Sequence, residues 1–294
     1  MNAAKFAART LPLAGLALLL ATAAAPAAPP MPAACPSSPA LTRLDAPLPR
    51  LALKLASYDP VVIVAIGSSS TAGAGASAAD FSYPARLQFA LRQRFPGRTI
   101  KVINRGINGQ DGPEMLARFD ADVAVLQPTL VIWQSGVNAL FRDNGLATAG
   151  GVVREAIRRT RALGADFLMI DPQYAPRVVA DADTKPMVSL LNEIAAEEKV
   201  PIFHRFAMMQ DWHVRGGVPF ERFLWKDNFH MNDWSYDCLG RDLAQAIAAN
   251  IAGSNRSAEA LPEAKGKIGT AGAVPASPLP STTTVPAGGA TLAN

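Results

Sequence analysis

The run Val61-Val-Ile-Val-Ala-Ile66 constrains this chain more than any other stretch. Its residues are all apolar and mostly β-branched, which suits a strand covered on both faces, as in a parallel sheet flanked by helices. The run stops at Gly67 and opens into a small, hydroxyl-rich loop, Ser68-Ser69-Ser70-Thr71. In open α/β sheets ligands sit just beyond the carboxyl ends of the strands, so chemistry belongs at this loop.

The rest of the chain repeats the pattern. Leu51 to Ser57 predicts a short helix, and Pro84 opens another with Leu87, Leu91 and Phe95 at every fourth position. Thr99–Asn104 predicts the second strand, ending in the glycine-rich turn around Gly106 and Gly109, and Pro113 to Phe119 begins the next helix. Leu130–Gln134 is a third strand, closed by Ser135-Gly136-Val137-Asn138. Gly150 to Leu163 is a helix and Asp166–Ile170 a fourth strand. A helix presenting Met187, Leu190, Leu191 and Ile194 leads to a short fifth strand, Val200–Phe203. Asn232 to Ile251 closes the series, with Leu239, Leu243, Ile247 and Ile251 on one face. This alternation specifies a three-layer α/β/α sandwich around a central, mostly parallel five-stranded sheet of flavodoxin-like type.

The two ends read differently. Met1 to about Ala28 carries Lys5 and Arg9, then an apolar run, then small residues, which is the order of a secretory signal too short to span a bilayer. The mature protein is therefore expected to be periplasmic or extracellular. Residues 29–50 are rich in Pro and Ala and read as an arm, residues 51–252 as the domain, and 253–294 as a disordered, low-complexity tail. Export permits a disulfide between the two cysteines, Cys35 and Cys238, and leaves the pairing open. The formal charge of +4, or +2 without Lys5 and Arg9, comes from scattered basic residues, so neither nucleic-acid binding nor stable membrane insertion of the mature chain is expected. Three scattered histidines and two distant cysteines offer no metal cluster, and no cofactor is implied.

Four strand-end loops line up: Gly67-Ser68-Ser69-Ser70, Asn108-Gly109, Gly136-Val137-Asn138 and Asp227-Asn228-Phe229-His230. Their set and order resemble the SGNH hydrolases, the GDSL esterase/lipase family, over Val61 to Ile251. The resemblance implies a serine nucleophile after the first strand, an oxyanion hole completed by a glycine N–H and an Asn side chain, and a late Asp-x-x-His. Where that family has Gly-Asp-Ser, this chain has Ser68 in the middle. The residues alone leave Ser68, Ser69 and Ser70 open as nucleophile, and aligning Gly67 with the family glycine selects Ser69.

The chemistry agrees with this assignment. A serine hydroxyl needs an adjacent base. His204 follows a strand and His213 is expected in a polar, glycine-containing loop, whereas His230 has Asp227 three residues ahead, able to hold the Nδ1 proton and leave Nε2 for the serine. The expected catalytic set is Ser69, Asp227 and His230, with Ser69 N–H, Gly109 N–H and Asn138 as the oxyanion hole. Trp225, Phe229 and Trp234 cluster around Asp227 and His230 and are candidates to contact substrate. The partner expected is a small-molecule or glycan acyl ester. The competing class is a non-catalytic glycan- or lipid-binding module on the same scaffold, which Ser68 alone favours.

Overall fold

The computed structural model describes residues 35–259. The expected signal sequence and the first residues of the arm lie outside the described residues; of the tail expected over 253–294, residues 253–259 instead continue the last helix, and the rest lies outside the described residues. In order, the elements are α1 (Pro49–Ala56), β1 (Val61–Gly67), α2 (Ser69–Ala72), α3 (Tyr83–Arg94), β2 (Ile100–Gly106), α4 (Gly112–Ala117), α5 (Phe119–Asp122) and β3 (Leu130–Gln134). They continue with α6 (Gly145–Ala162), β4 (Asp166–Ile170), α7 (Pro176–Val179), α8 (Thr184–Glu197), β5 (Ile202–Phe203), α9 (Arg205–Val214), α10 (Phe220–Phe223) and α11 (Asp233–Glu259).

The five strands form one sheet in the order β2-β1-β3-β4-β5, every pair parallel. β3 and β4 are buried along their whole length and β1 at all but one position, which is why their sequences are apolar apart from Gln134 and Asp166 at the ends. β2, at one edge, buries only Ile100 fully and exposes Lys101 and Asn104. Helices α1, α3 and α11 pack together over one face of the sheet, and α4, α6 and α8 over the other. The apolar stripes deliver this packing: Leu87 and Leu91 of α3, Met187, Leu191 and Ile194 of α8, and Leu239, Leu243, Ile247 and Ile251 of α11 are all buried. The order reverses between β1 and β3, the place at the carboxyl ends of the strands where open α/β sheets bind ligands. Among the described residues no helix is long and apolar enough to cross a membrane.

Two further expectations are corrected. Residues 35–48 are part of the domain and not a separate arm. Cys35 is disulfide-bonded to Cys238 of α11, Leu48 is fully buried, and Leu48 N–H donates to Asn250 Oδ1 at 3.1 Å. The Trp212 indole N–H also donates to Ser37 Oγ at 2.9 Å. These contacts join positions some two hundred residues apart, and local composition carries no sign of them. The second correction concerns His213, which lies in the last turn of α9 and not in a loop. There its Nδ1–H donates to Val218 O at 2.9 Å, and its ring stacks on Phe220 at 4.0 Å. Helix α9 buries an arginine, Arg205, on its apolar face beside Met208, Met209 and Trp212, so its period is masked.

Candidate active site

The loop after β1 is shaped by a buried glutamine. A Cβ on Gly67 would stand 2.1 Å from Thr71 Oγ1 and 2.8 Å from Gln134 Oε1, so only glycine leaves room for the contact beneath it. Into that space Gln134, the last residue of β3, extends Oε1. This one oxygen accepts from Ser68 N–H (3.2 Å), Ser68 Oγ (3.2 Å) and Thr71 Oγ1 (3.1 Å). The chain then turns into α2 with Ser69 at its first position. Ser70 points the other way, its Oγ donating to Gln173 Oε1 at 3.4 Å. Of the three serines, Ser69 alone meets a histidine.

That histidine comes from a self-contained turn before α11. Asn228 takes a left-handed backbone conformation (φ 53°), one that Asn tolerates better than most residues. The turn lets Asp227 Oδ1 accept both Phe229 N–H and His230 N–H at 3.0 Å. Asp227 Oδ2 lies 2.6 Å from His230 Nδ1, and His230 Nε2 lies 2.9 Å from Ser69 Oγ. Burial pushes the Asp227 carboxyl up, but the hydrogen bonds from the imidazole and the two amides outweigh it and hold the group below its ordinary value. An ionised carboxylate has no proton to give, so Nδ1 carries the imidazole proton and Nε2 accepts from the Ser69 hydroxyl. The structure thus brings Ser69, His230 and Asp227 into one hydrogen-bonded chain.

Gly109 and Asn138 sit on two loops stitched to the first. Gly67 O accepts Ile107 N–H at 3.0 Å and Arg118 Nη2–H at 3.2 Å, and Arg118 Nε–H donates to Gln110 Oε1 at 2.6 Å. The Gln110 carbonyl accepts from Asn138 Nδ2 at 2.7 Å, which leaves the second amide proton of Asn138 uncommitted. Gly109 lies between these tethers with φ 76°, a conformation costly for any other residue, and its Cα faces open space.

The aromatic candidates divide. Phe229 meets the His230 ring edge-on at 4.9 Å. Trp225 is half-exposed and adjoins the same histidine: a Cβ on Gly75 would lie 3.0 Å from Trp225 Cβ and 3.2 Å from His230 Cβ. Trp234 packs inward, edge-on to Trp212 at 5.2 Å with the Arg222 guanidinium over its ring.

A family model, the non-GDSL lipase-like family, matches residues 34–253. The chain belongs to this family. The motif resemblance to SGNH hydrolases is borne out by that membership. Solved structures share the fold. One is a two-domain esterase active on acetylated mannans, with 20% identity and a TM-score of 0.62 over 72% of this chain and 56% of that one. TesA gives 23% identity and a TM-score of 0.55 over 64% of this chain and 99% of that one. Axe2, an acetylxylan esterase from Geobacillus stearothermophilus, gives 20% identity and 0.54 over 65% and 94%. The chain thus spans little more than half the length of the two-domain esterase. No curated protein matches it.

The family description suits the departure at Ser68. In this non-GDSL lipase-like chain, a hydroxyl occupies the place of the acid and is absorbed by Gln134. Sequence reading passed over Gln134, Gln173, Arg118 and Arg205. Arg205 is fully buried, donating through Nε to Asp171 O at 2.9 Å and through Nη2 to Gln173 Oε1 at 3.3 Å. One signal was available: Gln134 and Gln173 are amides at or just beyond the ends of fully apolar strands, where a buried polar group must have partners.

Proposed function

We propose that this protein is an exported serine esterase that hydrolyses acyl esters through an acyl-Ser69 intermediate. The observation that carries the reading is the unbroken chain from Ser69 Oγ through His230 to Asp227. Ser69 Oγ attacks the ester carbonyl carbon as its proton passes to His230 Nε2. Asp227 holds the imidazole in the required tautomer and stabilises the imidazolium. The carbonyl oxygen becomes an oxyanion held by Ser69 N–H, Gly109 N–H and the free Asn138 amide proton. Ser69 opens a helix, so its N–H has no intrahelical acceptor and is available for this role. Collapse expels the alcohol, which takes the proton from Nε2. Water then attacks the acyl-enzyme, giving its proton to His230, and the carboxylic acid leaves with Ser69 restored.

Export is supported by the signal-like first 28 residues together with the Cys35–Cys238 disulfide, which suits an oxidising compartment. The solved relatives named as active on acetylated mannan and as an acetylxylan esterase make acetylated glycans the first natural substrates to examine. A non-catalytic binding module loses its one argument, since Ser68 serves the loop's internal hydrogen bonds. The test is labelling by a fluorophosphonate probe, with peptide mapping, alongside turnover of 4-nitrophenyl acetate. Label on Ser69 and turnover are expected. A folded protein that takes no label and turns over no ester overturns the reading.

A further inference from the structure

We propose that the rim of this site selects esters bearing a carboxylate near the scissile bond, and that Arg177 reads that carboxylate. The inference rests on the ester-hydrolase reading and adds a substrate class to it.

Arg177 lies on α7, the short helix that follows β4 at the carboxyl edge of the sheet. Its guanidinium carbon sits 4.1 Å from the centroid of Phe141 and 5.7 Å from that of Phe229. The two ring centroids lie 6.0 Å apart with the planes tilted by 56°, and Phe229 in turn meets the His230 ring edge-on at 4.9 Å. The cation is therefore held one ring away from the imidazole that contacts Ser69.

The guanidinium is exposed and unclaimed. Among the described residues Arg177 makes no ion pair and no hydrogen bond, and its only contacts of that kind are with the two rings. Arg98 and Arg222 also lie over rings without an ion pair, over Tyr58 and Trp234, but neither ring touches the His230 ring, and several other arginines are served by carboxylates. Arg142, on the rim itself, pairs with Glu114 at 3.1 Å. On α6, Arg154 meets Glu197 at 2.5 Å, Arg161 meets Glu198 at 2.6 Å, and Arg158 and Arg159 share Glu155 at 2.7 and 2.8 Å. A second cation beside the triad is unpaired as well: Lys226 Nζ lies 4.7 Å from the ring of Trp225 and has no carboxylate partner among the described residues.

Stacking uses the flat face of a guanidinium and leaves its N–H donors free in the plane. An arginine held at a ring loses less side-chain freedom on binding than a solvated one, and its fork of donors matches the two oxygens of a carboxylate. Among the described residues no carboxylate fills that fork, so it is left for the substrate.

The carboxylate is either on the acyl or on the alcohol half of the ester, and two matched pairs separate the cases. Mono-4-nitrophenyl succinate against 4-nitrophenyl butyrate reads the acyl side, and 4-acetoxybenzoate against phenyl acetate reads the alcohol side. For each pair the readout is the ratio of kcat/KM, anionic over neutral, in wild type, Arg177→Gln and Arg177→Lys. Expected is a fall of about tenfold or more in Arg177→Gln for one pair, carried mainly by KM. A smaller fall is expected in Arg177→Lys, which keeps the charge and loses the fork. Raising NaCl to about 0.5 M should lower the wild-type ratio in the same direction. Ratios within about twofold of wild type for both pairs, with the neutral esters turned over, overturn the inference and leave the esterase reading standing. No turnover of either neutral ester by the folded wild type overturns both.

Discussion

The triad and the polar layer beneath it are built on opposite principles. Above, Asp227 and His230 belong to one four-residue turn, partly open to solvent, and are tied by bonds of 2.6 and 3.0 Å that the turn makes with itself. Below, Ser68, Ser70, Thr71, Gln134, Gln173, Asp171 and Arg205 are all buried, and their bonds reach across strands, from residues 63 to 103 positions apart in the serine loop's case. In the proposed reaction the upper set carries the groups that move protons. The lower set has no such duty and holds the serine loop in place. If this division is right, the two layers fail differently when broken.

The largest effect is expected above. Ser69→Ala removes the nucleophile without touching any bond of the lower layer, so turnover of 4-nitrophenyl acetate should fall by roughly 10⁴-fold or more. Tm should stay within about 1 °C of wild type, because the lost hydroxyl contributes to no buried network. Activity loss accompanied by a large loss of stability would erase the distinction between the layers.

Gln134→Leu is the complementary break. The leucine matches in size, but Ser68 N–H, Ser68 Oγ and Thr71 Oγ1 lose their common acceptor inside the protein. Stranded buried donors cost about 1–3 kcal/mol each. A combined loss of roughly 3–5 kcal/mol is expected from denaturant unfolding, with turnover falling alongside, since the loop bearing Ser69 loses its anchor. A variant of unchanged stability and normal turnover would show that Gln134 is incidental to the loop.

A further step down is the disulfide. It ties the first described residue to α11, the helix that follows His230, across 203 positions. Cys35→Ser should cost about 2–4 kcal/mol, hence roughly 4–16 °C in Tm. Because the triad turn is held by its own bonds, turnover at 25 °C should remain within about twofold. Inactivation of the folded variant would mean that the start of the domain supports the site directly.

The same division explains what was legible in the sequence. Asp227-x-x-His230 could be read because its bonds are local: spacing in the chain is spacing in space. The buried runs of β1, β3 and β4 were equally plain, since a strand covered on both faces has no reason to alternate. What stayed hidden is long-range. Nothing near Gln134 says that its oxygen will meet three hydroxyl and amide donors of a loop more than sixty positions earlier. Nor does the Pro/Ala-rich stretch before α1 show that Leu48 will be buried and Cys35 bonded to α11. Helix α9 was missed for a related reason, because a buried Arg205 interrupts its apolar face and is explained only by the carbonyl of Asp171 and the amide of Gln173.

The last expected effect lies in that same buried pair and leaves turnover aside: it is a slope of stability with pH. Asp171 follows β4 directly, and its Oδ1 accepts Phe206 N–H at 2.8 Å. Burial pushes its carboxyl up to about 7 from an ordinary 3.8, against the opposing pull of the Phe206 amide and the Arg205 charge. Between about pH 4 and pH 7 the folded protein therefore keeps a proton that the unfolded chain has already released. Unfolding then releases protons, so this group's contribution to stability falls as pH rises through that window and levels off above it. Asp171→Asn keeps an oxygen for Phe206 N–H and cannot ionise. Thermal melts of both proteins from pH 4 to pH 8 should show the variant gaining on wild type up to about pH 7, with a constant difference beyond. A difference independent of pH across the whole range would mean that Asp171 is ionised throughout as a partner of Arg205. The layer beneath the triad would then hold a permanent ion pair, and its separation from the proton-moving groups above would be complete.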